Sequence, residues 1–217
     1  MLRPWPESVP SSRGLPGLAA TLFIGALLLQ STAGQALPNQ VLLLRHGHKT
    51  GELNHFNLSP EGFQRAIALA TLLPACFGNP THIVSYYFDP ITSKNSRSYQ
   101  TLVPLAIATG VNIAIDLDSP TSSLQSGKTI LRDPHYDGAN LVIAWEHRRL
   151  PLLAEGLGVP GLAQLADDDF DPLVLLRYRQ RGLPPEVRQF SQRDLVSGRH
   201  TCAEPPMPAA VPPAPSR

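Results

Sequence analysis

Three stretches of this 217-residue chain hold side chains suited to a phosphoryl group. Arg45-His46-Gly47-His48-Lys49 follows one apolar run, and Trp145-Glu146-His147-Arg148 ends another. Ser96-Arg97 opens a third, helix-like stretch. Guanidinium groups grip phosphate oxygens through paired, charge-assisted hydrogen bonds. A neutral imidazole can attack phosphorus and carry the phosphoryl group as a covalent intermediate. Two arginines and two histidines around one point therefore suit phosphoryl transfer. Long stretches of sequence separate them, so a fold must bring them together.

The elements around these residues predict how. QVLLLR (40–45) is a short run of branched apolar residues and reads as a buried strand. SPEGFQRAIALATLLPACF (59–77) reads as a helix with Ser59 as N-cap and Pro60 in the first turn. Its inward face is expected at Phe63, Ile67, Ala70 and Leu73 or Pro74. Strands follow at 82–88, 111–117, 140–147 and 172–178. Helices are expected at 96–110, kinked or restarted near Pro104, at 124–132 and at 149–158. This alternation implies an α/β fold, a three-layer α/β/α sandwich around a mostly parallel central sheet. In such sheets ligands bind beyond the carboxyl ends of the strands, where all three stretches fall.

The sequence resembles the histidine phosphatase superfamily, the phosphoglycerate-mutase-like group. The residues that carry the likeness are LLLRHG (42–47), LSPEGFQRA (58–66), Ser96, Arg97, Gln100 and Thr101, and His147 in VIAWEH (142–147). R-H-G alone is a common tripeptide; placed at a strand end and joined by a spaced arginine and a late histidine it is specific. The likeness runs from about Val41 to Tyr178. W-E-H and the D-x-F-D stretch at Asp168 to Asp171 look most like the small "phosphoglycerate mutase family" proteins.

The resemblance implies a phosphohistidine mechanism. His46 would be the nucleophile, Arg45 and Arg97 would bind the phosphoryl oxygens, and His147 would donate to the phosphoryl group. Arginines doing this work require no metal and no other cofactor. The leaving alkoxide needs a proton, usually from a carboxylic acid. The candidates are Glu146, Asp116 and Asp118; Glu146 is preferred because the W-E-H stretch resembles the small family members, though it reaches the site only if the strand ends or bends there. A competing reading makes His46, His48, Glu52 and His55 a metal cluster. It is set aside, because Arg45 beside His46 is a poor neighbour for a cation. Gln125 to Thr129 ends like a phosphate-binding loop but lacks the first glycine, Ser122 standing in its place. His82, His135 and His200 read as structural or solvated, and the acidic run Asp167-Asp168-Asp169 as a solvated loop.

Composition narrows the partners. Lys and Arg number 18 against 17 Asp and Glu. Without residues 1–36 the balance is 16 against 16. No basic surplus or polybasic stretch points to nucleic acid or to a membrane surface. Residues 1–36 are expected to be a signal peptide or N-terminal anchor: Arg3 and Arg13, then an apolar run at 15–30, then small residues. The phosphatase-like domain is expected at 37–200 and a Pro-rich disordered tail at 201–217. Cys76 and Cys202 read as a buried and an inert thiol, with a bond between them available in an exported protein. The expected function is an exported phosphomonoesterase acting on a small phosphorylated substrate. Alternatives are a phosphate-ligand binder of the same fold without turnover, and a phosphomutase. The chain lacks long insertions that would close over a sugar phosphate, so the mutase ranks last.

Overall fold

Apolar residues on both faces of each inner strand dictate the layering. The computed structural model describes residues 37–199. The expected signal peptide or anchor, His200 and the Pro-rich tail lie outside the described residues. In chain order the elements are β1 (Gln40–Arg45), α1 (Pro60–Phe77), β2 (His82–Ser85), α2 (Arg97–Thr109), β3 (Ile113–Ile115) and α3 (Ser123–Ile130). A short 3-10 turn, Pro134–Tyr136, leads to β4 (Asn140–Trp145) and α4 (Leu150–Gly156). β5 (Pro172–Arg177), β6 (Glu186–Ser191) and α5 (Gln192–Val196) complete the described residues.

The strands form one sheet in the order β3-β2-β4-β1-β5-β6. β3, β2, β4 and β1 run parallel, whereas β5 is antiparallel to β1 and β6 antiparallel to β5. Val41, Leu43, Leu141, Ile143 and Trp145 face α3 and α4, packing with Ile130, Leu153 and Leu157. Leu42, Leu44, Val142 and Ala144 face the other way, onto Leu69 and Leu73 of α1, Leu102 and Leu105 of α2 and Leu195 of α5. This is the expected three-layer α/β/α sandwich with a mostly parallel sheet. The antiparallel β5–β6 edge and α5 were not anticipated. β5 is reached through the irregular stretch 157–171 rather than a crossover helix, and an antiparallel neighbour needs no crossover. EVRQFS (186–191) is only half-buried and carries too little apolar alternation to read as a strand.

Two helices differ from expectation in instructive ways. α1 is capped by Ser59, whose Oγ accepts from Gly62 N, and begins at Pro60 as the sequence predicts. Its buried face is Gly62, Ala66, Leu69, Ala70, Leu73 and Phe77, while Phe63 and Ile67 are exposed. A close backbone approach causes this rotation. A β-carbon at Gly62 would stand 2.6 Å from the His48 carbonyl oxygen and 2.7 Å from its nitrogen. Only a glycine lets the helix lie on that chain, so position 62 must face inward and Phe63 turns out. α2 runs through Pro104 as one helix, without the expected restart. Between α3 and α4, Gly127 and Gly156 are in backbone contact, and a side chain on either would collide with the other helix.

Cys76, near the end of α1, is disulfide-bonded, which corrects the reading of a free thiol. Among the described residues no helix is long and apolar enough to cross a membrane.

Candidate active site

Strand register assembles the site. Arg45 and Trp145 are partners at the ends of β1 and β4, so His46 and the Glu146-His147 pair leave the sheet side by side. His46 N donates to Trp145 O at 3.3 Å, extending the ladder by one bond. β4 ends at Trp145, two residues short of the expected end. The turn that follows lets Glu146 and His147 both approach the site, which a continuing strand would forbid.

His46 is buried with its ring fixed. Nδ1 lies 2.8 Å from the Gly47 carbonyl. A carbonyl only accepts, so Nδ1 carries the proton and Nε2 is left bare. Burial first, helped by the charges of Arg45, Arg97 and His147 and opposed by the Gly47 bond, pushes the His46 pKa from 6.5 down to about 3. The ring is therefore neutral over the physiological range. It meets the His147 ring edge-on at 6.3 Å.

Arg97 arrives by way of a strained turn. Asp89 Oδ1 accepts from Ile91 N and Thr92 N, and Ser93 and Asn95 both take left-handed backbone conformations. α2 then starts at Arg97, and its first turn grips the loop after β1. Ser96 Oγ donates to Phe56 O at 2.8 Å, and Arg97 Nη1 to His55 O at 2.7 Å. Gln100 accepts from Leu58 N and donates to Asn57 Oδ1. Thr101 Oγ1 accepts from Gly47 N at 2.8 Å. Ser96, Arg97, Gln100 and Thr101 thus form one clamp that holds the loop following His46. Arg97 spends one of its five donors this way, and its buried Nε has no partner.

Arg45 is fully buried and lies against the stretch 166–170. Nη1 donates to Ala166 O and Asp169 O at 2.7 Å each, and Nη2 to Asp167 O at 2.8 Å. Its Cζ sits 3.8 Å from the centre of the Phe170 ring, a cation–π stack. Three of five donors are committed; Nε and one Nη2 proton remain. Burial lowers its pKa to about 10, so it stays cationic at neutral pH. Arg65, from α1, donates to Phe170 O and, at 3.3 Å, to His46 O, tying the same stretch to His46.

His147 stands between two carboxylates. Its Nε2 lies 2.8 Å from Asp167 Oδ1. Its Nδ1 lies 3.0 Å from Glu146 Oε1, close enough for an ion pair but off the line of a hydrogen bond. Glu146 Oε2 accepts from Arg148 N, and its side chain is one-fifth exposed. The hydrogen bond from His147, with Arg148 beside it, holds Asp167 below the usual carboxylate range.

The structure thus brings Arg45, His46, Glu146 and His147 together, and the charge of Arg97 acts on His46 from α2. Asp116 and Asp118 have other surroundings. Asp116 Oδ1 accepts from Asp118 N, Ser119 N and Ser126 Oγ, a turn-capping role, and Asp118 is exposed. Asp116 is raised by burial, against those hydrogen bonds. His48, Glu52 and His55 do not converge on His46. His48 lies on Phe170 with ring centres 4.4 Å apart, and His55 pairs with Thr50. Among the described residues no three potential ligands gather around a metal position. His82 and His135 pair ring to ring, Nε2 to Nε2 at 3.1 Å, beside Thr81 at the start of β2.

Sequence reasoning missed Arg65, Phe170 and Asp167. Arg65 lies three residues after Gly62 on one helix face, which would have aimed it at the same loop. A single aromatic inside an acidic run was the available signal for Phe170.

No protein-family model and no curated protein sequence matches the chain. Solved structures do. The protein histidine phosphatase SixA complexed with tungstate matches with a TM-score of 0.52 at 16% identity, covering 72% of this chain and 99% of that one. A mycobacterial glucosyl-3-phosphoglycerate phosphatase matches at 0.47 with 18% identity, covering 70% and 97%. A phosphoglycerate mutase from Plasmodium falciparum matches at 0.46 with 17% identity, covering 72% and 92%. The SixA match shows the architecture, and the chain has the histidine phosphatase fold.

Proposed function

We propose that the protein is a phosphomonoesterase working through a phosphohistidine at His46. The observation that carries this reading is the state of the His46 ring. It is neutral, bare at Nε2 and surrounded by cationic or donating groups from three elements. An electron-rich nitrogen in a cationic pocket is what attack on a phosphoryl dianion requires. Nε2 attacks phosphorus. Arg97 and the two uncommitted Arg45 donors hold the equatorial oxygens, and His147 donates a further hydrogen bond. A carboxylic acid beside His147 protonates the leaving oxygen, and Glu146 is the one the sequence points to. Water then attacks the phosphohistidine, releasing phosphate. Every role falls on a side chain of this protein, so neither a metal nor another cofactor is assigned. The substrate in this reading is a small phosphate monoester.

The test is hydrolysis of p-nitrophenyl phosphate with EDTA present, for the parent and His46→Ala. The parent turns over; the variant does not, and only the parent traps an acid-labile phosphoryl label. Turnover by His46→Ala would remove this mechanism. Phosphate binding without turnover would favour the binder, a reading that the partial occupation of Arg45 supports.

We further propose export. The apolar run at 15–30 with its flanks reads as a targeting segment, and the disulfide at Cys76 suits an oxidising compartment. Fractionation with mass analysis of the mature N-terminus tests this.

A further inference from the structure

Two carboxylates contact His147, and they differ in what they face. Glu146 points inward, with one oxygen on the Arg148 amide and the other against His147 Nδ1. Asp167 is about two-thirds exposed, yet its Oδ1 lies 2.8 Å from His147 Nε2. It is not a loose surface residue. The chain around it is anchored by the three carbonyls of Ala166, Asp167 and Asp169 on Arg45. Phe170 adds its stack on Arg45 and its contacts with the rings of His46 at 5.8 Å and His48 at 4.4 Å. This anchoring holds a carboxylate at the mouth of the site, on the ring that faces the nucleophile.

Resting on the phosphatase reading, we infer that Asp167 is the general acid, delivering the proton to the leaving oxygen, while Glu146 orients His147. Attack on phosphorus is in line, so the leaving oxygen departs on the side opposite His46. His46 is buried, which makes that side the solvent side, and Asp167 is the outward carboxylate of the pair. The phosphoryl oxygen takes the hydrogen bond from His147 Nε2 that Asp167 holds in the free protein. That removes the main cause of Asp167's depressed proton affinity. The arriving negative charge raises it further, so Asp167 takes up a proton as substrate binds. In the first step the His46 Nε2–P bond forms, the ester P–O bond breaks, and the Asp167 proton moves to the leaving oxygen. In the second step Asp167, now a carboxylate, accepts a proton from the attacking water as the N–P bond breaks. His46 is then back in its starting state, and Asp167 releases the proton it took up on binding as phosphate leaves and His147 donates to it again.

The experiment compares leaving groups in the full-length chain, for the parent, Asp167→Asn and Glu146→Gln. β-Glycerol phosphate releases an alkoxide that needs a proton; 2,4-dinitrophenyl phosphate releases a phenolate that does not. Asp167→Asn is expected to lower kcat on β-glycerol phosphate by roughly 10²- to 10⁴-fold, and by less than about tenfold on 2,4-dinitrophenyl phosphate. Glu146→Gln is expected to reduce both alike. Equal losses for both esters in Asp167→Asn, or no loss, would overturn the assignment. A leaving-group-dependent loss in Glu146→Gln alone would hand the task back to Glu146. Melting curves with and without phosphate confirm that each variant is folded and binds. If the parent fails even on 2,4-dinitrophenyl phosphate, the phosphatase reading itself fails and this assignment with it.

Discussion

The proton affinity of His46 makes a quantitative prediction about stability. Its pKa falls from 6.5 to about 3, because burial disfavours the imidazolium. In the unfolded chain the ring recovers its ordinary value. Above pH 6.5 both states are neutral and the residue contributes no pH dependence. Below pH 6.5 the unfolded state binds a proton that the folded state refuses, so stability falls with pH until the folded ring titrates near 3. The largest possible loss is about 5 kcal/mol, from 1.36 kcal/mol for each pKa unit. Between pH 7 and pH 5 the expected loss is about 2 kcal/mol. The assay is urea unfolding of the parent and of His46→Gln at both pH values. The glutamine side chain does not titrate, so the parent should lose about 2 kcal/mol more than the variant, with unchanged slopes. His48 and His82 also have lowered pKa values, but they contribute to both proteins and cancel. A parent and variant with the same pH dependence would refute the claim that His46 is held neutral by its surroundings.

Other perturbations test the supporting structure. Gly62→Ala places a methyl group 2.6 Å from the His48 carbonyl oxygen, against backbone on both sides. It should cost about 1–3 kcal/mol, read as a melting point lower by roughly 2–12 °C. Turnover should fall with it, because His48 is two residues from His46; a full-activity variant of parental stability would contradict the close approach. Asp116→Ala removes the acceptor for two amides and a hydroxyl. It should lower stability by about 1–3 kcal/mol and reduce kcat equally for esters with good and poor leaving groups. A leaving-group-dependent loss there would return Asp116 to the list of acids.

The strand ends were legible because two local signals coincide. Val41 to Leu44 is too apolar to face water on either side, which demands a central strand, and its polar continuation Arg45-His46 must then emerge at the edge. The same logic holds for Leu141 to Trp145 followed by Glu146-His147. Ser59-Pro60 carried its own capping chemistry and fixed the start of α1. The face of α1 was not legible. Phe63 and Ile67 are the larger apolar residues, but the space beside Gly62 decided the rotation, and that space belongs to the loop carrying His48. β6 was obscure because half-buried edge strands need little apolar periodicity.

By itself, the sequence determined which chemistry was available. Residue type sets what an imidazole or guanidinium can do, and strand periodicity sets which end of the sheet presents it. Only the tertiary structure decided how those groups are used. The bond from His46 Nδ1 to the Gly47 carbonyl selects the bare nitrogen, and burial keeps it unprotonated. Carbonyls from 166–169, some 120 residues beyond Arg45, take up three of its donors. Asp167, read in sequence as one member of a solvated acidic run, reaches His147 because Phe170 and Arg45 hold its stretch of chain against the site. Such contacts depend on where a non-repetitive segment packs, and no local pattern of residues encodes that.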